Sequence, residues 1–98
     1  MASARGETHG AVVNLSTCRK PRYPRADIAA GHQGTVTIAF MVDEQGLVAN
    51  SSIATSSGYA SMDEAARSAL ARCSFHPALE DGKPVQQVVH VQYVWTLK

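Results

Sequence analysis

The chain has 98 residues, 45% of them apolar and 17% charged, which fits one small globular domain and excludes a wholly disordered chain. Its formal net charge is +1, and its two cysteines are too few for a thiolate-built metal site or a disulfide-dense miniprotein. No apolar run approaches the ~20 residues of a membrane helix, and the first ten residues lack the hydrophobic centre of a secretory signal. The expectation is a compact soluble module that neither spans a bilayer nor anchors itself in one.

Taken in chain order, residues 1–10 (MASARGETHG) read as a flexible tail of the kind that expression vectors add, and residues 11–98 as the domain. Ala11-Val-Val-Asn-Leu15 is a brief apolar stretch suited to lying extended on that domain. The run from Cys18 to Arg25 then places Arg19, Lys20, Arg22 and Arg25 within eight residues. Residues 1–26 hold five bases and one acid, a balance of +4, against four bases and seven acids, −3, in the remainder. Such a strip suits either an acidic partner or a solvated approach to the fold. It lacks the aromatic interleaving of a single-strand binder and the helical spacing of a groove reader, which argues against nucleic acid.

Tyr23-Pro24 opens a helix of about two turns, because proline loses nothing in a first helical turn, and Gly31 suits its C-terminal stop. The β-branched and aromatic run GTVTIAFMV, residues 34–42, predicts a strand with Val36, Ile38, Phe40 and Val42 on one face. Asp43-Glu-Gln-Gly46 predicts a hairpin turn into a more polar strand over residues 47–57. The clearest helix follows, with Met62, Ala65, Ala66, Ala69, Leu70 and Cys73 in one apolar stripe and a capping box of Ser61 and Glu64 at its start. Residues 76–84, with a proline near each end and Asp-Gly inside, read as a loop.

Residues 85–97 alternate: Val85, Gln87, Val89, Val91, Tyr93, Trp95 and Leu97 share one face, with polar residues dominating the other. The predicted fold is α+β, a three-stranded antiparallel sheet in the order 2-1-3 with one short and one long helix on one face. The final strand then lies at an edge. Residues 88–94 carry no lysine, proline or acid to protect it, and their one possible charge is on His90. Either something in the chain covers that edge or it takes a further strand.

Catalytic patterns are weak. His9, His32, His76 and His90 show no metal-ligand spacing, and no cofactor or small-molecule substrate is implied. Adjacent carboxylates at Asp43/Glu44 and Asp63/Glu64 point apart on a strand or helix, and Gly-rich phosphate loops and Ser nucleophile motifs are absent. Cys73 near His76 permits an activated-thiolate reading, but Cys73 falls on the apolar helix stripe, as a core or disulfide cysteine would. Packing of the two helices side by side would bring Cys18 to Cys73. The pair then forms a bridge in an oxidising compartment or two reduced thiols in the cytosol.

The ordered pieces resemble the C-terminal periplasmic domain of TonB-family energy transducers. They are Tyr23-Pro24 with Ala26, Gly34-Thr-Val36, Asp43-Glu-Gln-Gly46 with Val48, Ser56-Ser-Gly58, Met62-Asp-Glu-Ala-Ala66, Cys73-Ser-Phe-His-Pro77-Ala, Gly82-Lys-Pro-Val85 and Val94-Trp-Thr-Leu97, within residues 18–98. The resemblance implies a Cys18–Cys73 disulfide, a periplasmic location and no catalysis. It implies a full-length protein tethered to the inner membrane through a proline-rich linker and driven by an ExbB/ExbD-type motor complex. The partner it implies is the TonB box of an outer-membrane transporter, added as a strand to the last strand. Contacts would fall on Val88, Val89, His90, Val91, Gln92, Tyr93 and Val94, with Arg19, Lys20 and Arg22, just before the Tyr-Pro pair, and Tyr23 itself also touching it. Lys20, Arg22 and Arg25 would read acids flanking the box. The alternative is a TolA-like or strand-swapped envelope scaffold, acting as a homodimer without transporter coupling.

Overall fold

A computed structural model describes residues 8–97. The elements in order are β1 (Val12–Asn14), a single 3-10 turn (Leu15–Thr17), α1 (Arg25–Ala30), β2 (Gly34–Val42), β3 (Val48–Thr55), α2 (Ala60–Leu70), β4 (Ser74–His76), β5 (Ala78–Glu80), β6 (Lys83–Val85) and β7 (Gln87–Trp95). The class is α+β, as the periodicities predict. The main sheet is antiparallel in the order β3-β2-β7, with two-stranded sheets β1-β4 and β5-β6 beside it.

Strand β2 is central because it is apolar on alternate residues: Val36, Ile38, Phe40 and Val42 are fully buried. Met62, Ala66 and Leu70 of α2 meet them, with Val91 and Trp95 of β7 and Phe75 of β4 completing the core. The Phe40 and Phe75 rings lie 5.4 Å apart. Four fully buried side chains on one strand, at about 1.5–3 kcal/mol each, explain why this layer anchors the domain.

Local chemistry sets the connections. Pro24 is the N-cap of α1, and Gly31, at φ 72°, ends it by donating to the carbonyls of Asp27 and Ile28. In the β2–β3 hairpin, the Asp43 carboxylate accepts from the amides of Gln45 and Leu47, both at 2.9 Å. Gly46 is required twice over. Its φ is 84°, and a Cβ there would stand 2.3 Å from the carbonyl oxygen of Phe75.

Three expectations need correction. The run over residues 76–84 is not a plain loop but holds β5 and β6, joined through Asp81 and Gly82, both at positive φ. The long final strand therefore divides, with Val85 in β6 and Gln86 separating it from β7. Ser61 and Glu64 form no capping box. The helix begins at Ala60, so Ser61 lies inside it and donates to Asp27 Oδ2 at 2.6 Å, linking α2 to α1. Asp63 serves the entry turn instead, accepting from the hydroxyl of Ser56 and from the amide (2.8 Å) and hydroxyl (2.6 Å) of Ser57. Of the stretch expected as a tail, residues 1–7 lie outside the described residues, and His9 exchanges backbone hydrogen bonds with Leu79 at 2.9 and 3.0 Å. Among the described residues no helix is long and apolar enough to cross a membrane.

Candidate partner-binding edge

Among the described residues, strand β7 is paired on one side alone. Its nine residues pair with β2 in unbroken register from Gly34↔Trp95 to Val42↔Gln87, and no described strand lies along its other side. The alternation predicted from sequence holds: Val91 and Trp95 are buried, while Val88, His90, Gln92 and Val94 are exposed. These four residues belong to the face on which the sequence places mostly polar side chains.

The segment before α1 runs beside this edge because three ties hold it to the chain around β4. Val12, Val13 and Asn14 pair with His76, Phe75 and Ser74. The Ser74 amide donates to Thr17 Oγ1 at 2.7 Å. Cys18 is bonded to Cys73, with the Cα atoms 4.6 Å apart. No cysteine is free, which removes the thiol-enzyme reading of Cys73 and His76. Closing a loop of 55 residues contributes about 4 kcal/mol on the chain-entropy account.

Between the tied segment and β7 lies a cleft of about 250 Å³, its lining apolar at Leu15, Pro21, Leu70, Val91 and Tyr93, with Arg19 and Lys20 at its border. A second depression of about 240 Å³ continues along the strand past Pro21, Tyr23, Val94 and Trp95. Tyr23 fixes this end. Its ring meets Trp95 edge-on at 4.8 Å, and its hydroxyl donates to the carbonyl of His32. Trp95 in turn packs edge-on to Tyr93 at 4.9 Å. Burial, and for Tyr23 also the Asp27 charge, raises both phenol pKa values, so the two tyrosines stay neutral at ordinary pH.

Asp27 braces the same end from behind. It accepts from Ser61 and lies 2.7 Å from His32 Nδ1, and these hydrogen bonds hold its carboxyl below the ordinary value of 3.8. The His32 ring stacks on Tyr59 at 3.8 Å. His76 and His90 are exposed on separate strands, and no described group of three or more His, Cys, Asp or Glu converges as a metal site would.

The sequence-named residues thus divide. Arg19, Lys20, Tyr23 and the β7 positions Val91, Gln92, Tyr93 and Val94 line the two depressions; Val88, Val89 and His90 continue along the same strand. Arg22 lies on the other side of the segment, facing α2. Arg25 opens α1 and lines neither depression. Sequence reasoning missed Leu15, Pro21 and Leu70 as the apolar lining. Leu70 was legible as a stripe residue, but its role here depends on the approach of the tied segment.

Comparison with known proteins agrees with this architecture. The family described as the Gram-negative bacterial TonB protein C-terminal matches residues 19–97. The chain is 35% identical over 72 residues to "Protein TonB" of Vibrio cholerae serotype O1 (strain ATCC 39315 / El Tor Inaba N16961). That match covers 74% of this chain and 30% of the relative, so the chain spans under a third of the longer protein. The solution NMR structure of the Pseudomonas aeruginosa TonB CTD superposes with a TM-score of 0.69 at 23% identity, covering 90% of this chain and 87% of that one, a likeness of fold. Matched over four-fifths of its length, the chain belongs to the family of Gram-negative TonB C-terminal domains.

Proposed function

We propose that this domain is the periplasmic, partner-binding end of a TonB-type transducer, that it grips the TonB box of an outer-membrane transporter by strand addition to β7, and that it performs no catalysis itself. The observation that carries this reading is a nine-residue edge in continuous register with no partner among the described strands, bordered by an apolar cleft. Backbone pairing along β7 supplies affinity that tolerates sequence change, and the cleft selects the side chains that turn towards Pro21 and Leu70. Such a ladder also suits transmission of force, since several hydrogen bonds share one load. In the full-length protein, an inner-membrane helix and an ExbB/ExbD-type motor would supply that force from the proton-motive gradient, coupling it to uptake.

Isothermal titration of the domain with a synthetic TonB-box peptide, beside light scattering of its mass, tests this reading. The expected result is one peptide per monomer. Concentration-dependent dimerisation without peptide binding would favour a strand-swapped scaffold.

A further inference from the structure

The opposite side of the tied segment carries a feature that strand addition does not use. Residues 19–22 and the exposed flank of α2 enclose a concavity of about 350 Å³ lined by Arg19, Lys20, Arg22 and Arg72, with Ala65, Ser68 and Ala69 between them. All four cations are exposed, and among the described residues none takes part in an ion pair. The acids of α2 are engaged elsewhere: Asp63 with Ser56 and Ser57, Glu64 with Arg67.

The disulfide makes this arrangement a constraint rather than an accident of mobile side chains. Arg19 follows Cys18 and Arg72 precedes Cys73, so a covalent bond with Cα atoms 4.6 Å apart anchors side by side the two backbone segments that carry these cations into one concavity. Like charges so confined repel, and an anion seated between them removes that repulsion. The small side chains of Ala65, Ser68 and Ala69 leave a floor open to an extended backbone. Arginine forks suit carboxylates in particular, through paired N–H donors.

We infer that this disulfide-clamped cation cluster docks an acidic stretch of partner polypeptide, contiguous with the strand that seats on β7. The inference rests on the strand-addition reading for its geometry: Arg19 and Lys20 border both the β7 cleft and the cation concavity, so one chain reaches from one to the other. That continuity favours polypeptide over an anionic lipid surface. So does the lining, which includes none of the large exposed apolar side chains that would insert into a bilayer. Relative to the sequence reading, Arg72 joins the cluster and Arg25 leaves it.

The test is calorimetric titration with a TonB-box peptide, alone or extended at either end by four residues, acidic (Glu/Asp) or neutral (Ser/Gln). The wild-type domain and the doubly substituted Arg22→Gln/Arg72→Gln domain are compared, both positions being exposed, lining the cation concavity and lying outside the two β7 depressions. An acidic extension at one end should tighten wild-type binding roughly tenfold at low salt, with the gain shrinking as salt rises. In the double variant that gain should vanish while the unextended peptide binds as before. No gain over the neutral extension, or a gain that survives in the variant, would overturn the assignment. So would co-sedimentation with phosphatidylglycerol vesicles that depends on Arg22 and Arg72 while the extension adds nothing. Failure of the unextended peptide to bind would instead overturn strand addition. A free Glu/Asp octapeptide then tests the cluster by itself: shifts of the Arg19 and Arg72 NMR signals support it, and their absence rejects it.

Discussion

The main sheet has two edges, and the chain treats them differently. Strand β3 is rich in serine, with asparagine and threonine, and its pairing with β2 slips twice, between Thr37 and Ile38 and between Met41 and Val42. Arg67 of α2 reaches across to donate to Ser51 Oγ at 3.0 Å. Slips and polar side chains are the ordinary means by which an edge is made unreceptive to other strands. Strand β7 shows no slip, and although its exposed row includes His90 and Gln92 it carries no acid, lysine or proline. Its register is continuous, its exposed row ends in Val88 at 45% and Val94 at 58% exposure, and an apolar cleft runs beside it. The contrast teaches that an open edge here is a property of one strand, kept on the side where the disulfide holds the neighbouring segment.

Breaking the β7 side should have the largest effect. Proline at Val91 or at Gln92 removes one N–H, and in an antiparallel strand successive N–H groups point to opposite sides. One of the two variants therefore spares the β2 ladder and still removes an outward donor. That variant should stay folded by circular dichroism and lose detectable box binding, whereas Ser52→Pro on β3 should lower stability and leave affinity unchanged. Next in size is the disulfide. Cys18→Ser/Cys73→Ser should cost about 4 kcal/mol in urea denaturation and weaken peptide binding through the freed segment. Amide exchange should quicken at residues 18–23 more than along β3.

Gly46→Ala acts on the other edge. The added Cβ meets the Phe75 carbonyl at a positive φ, so a loss of about 1–3 kcal/mol is expected, with box affinity retained by the folded fraction. The smallest effect is in acid. Burial pushes the Asp63 carboxyl up, but the Ser56 and Ser57 hydrogen bonds outweigh it, and both Asp63 and Asp27 titrate below 3.8. A depressed folded pKa means that the stabilisation is complete above the ordinary value and is lost as pH falls through the folded value. Urea midpoints should therefore hold from neutral pH to about pH 4 and decline below it. Asp63→Asn, expected to cost about 1–3 kcal/mol at neutral pH, should flatten part of that decline.

How much of this was legible in the sequence depends on the range of the forces involved. The alternation of residues 87–95 and the stripe from Met62 to Cys73 are repeated patterns, so their buried faces could be read from residue type alone. The unprotected edge was visible as missing charge over residues 88–94. The three-residue strands β4, β5 and β6 were not, because so short a run holds no periodicity and β4 acquires its form from β1, some sixty residues earlier. The capping box failed for a related reason: Ser61 finds Asp27, 34 residues away, a stronger acceptor than its own helix start offers. Arg72 was missed because its meaning lies in the chain partner of the cysteine next to it.

Hydrogen–deuterium exchange of the domain, with and without a saturating TonB-box peptide, tests the central claim most directly. Strand addition predicts new protection at alternate amides across residues 87–95, with β3 unchanged. Protection that falls on β3 or on α2 alone, with β7 exchanging as in the free domain, would contradict it.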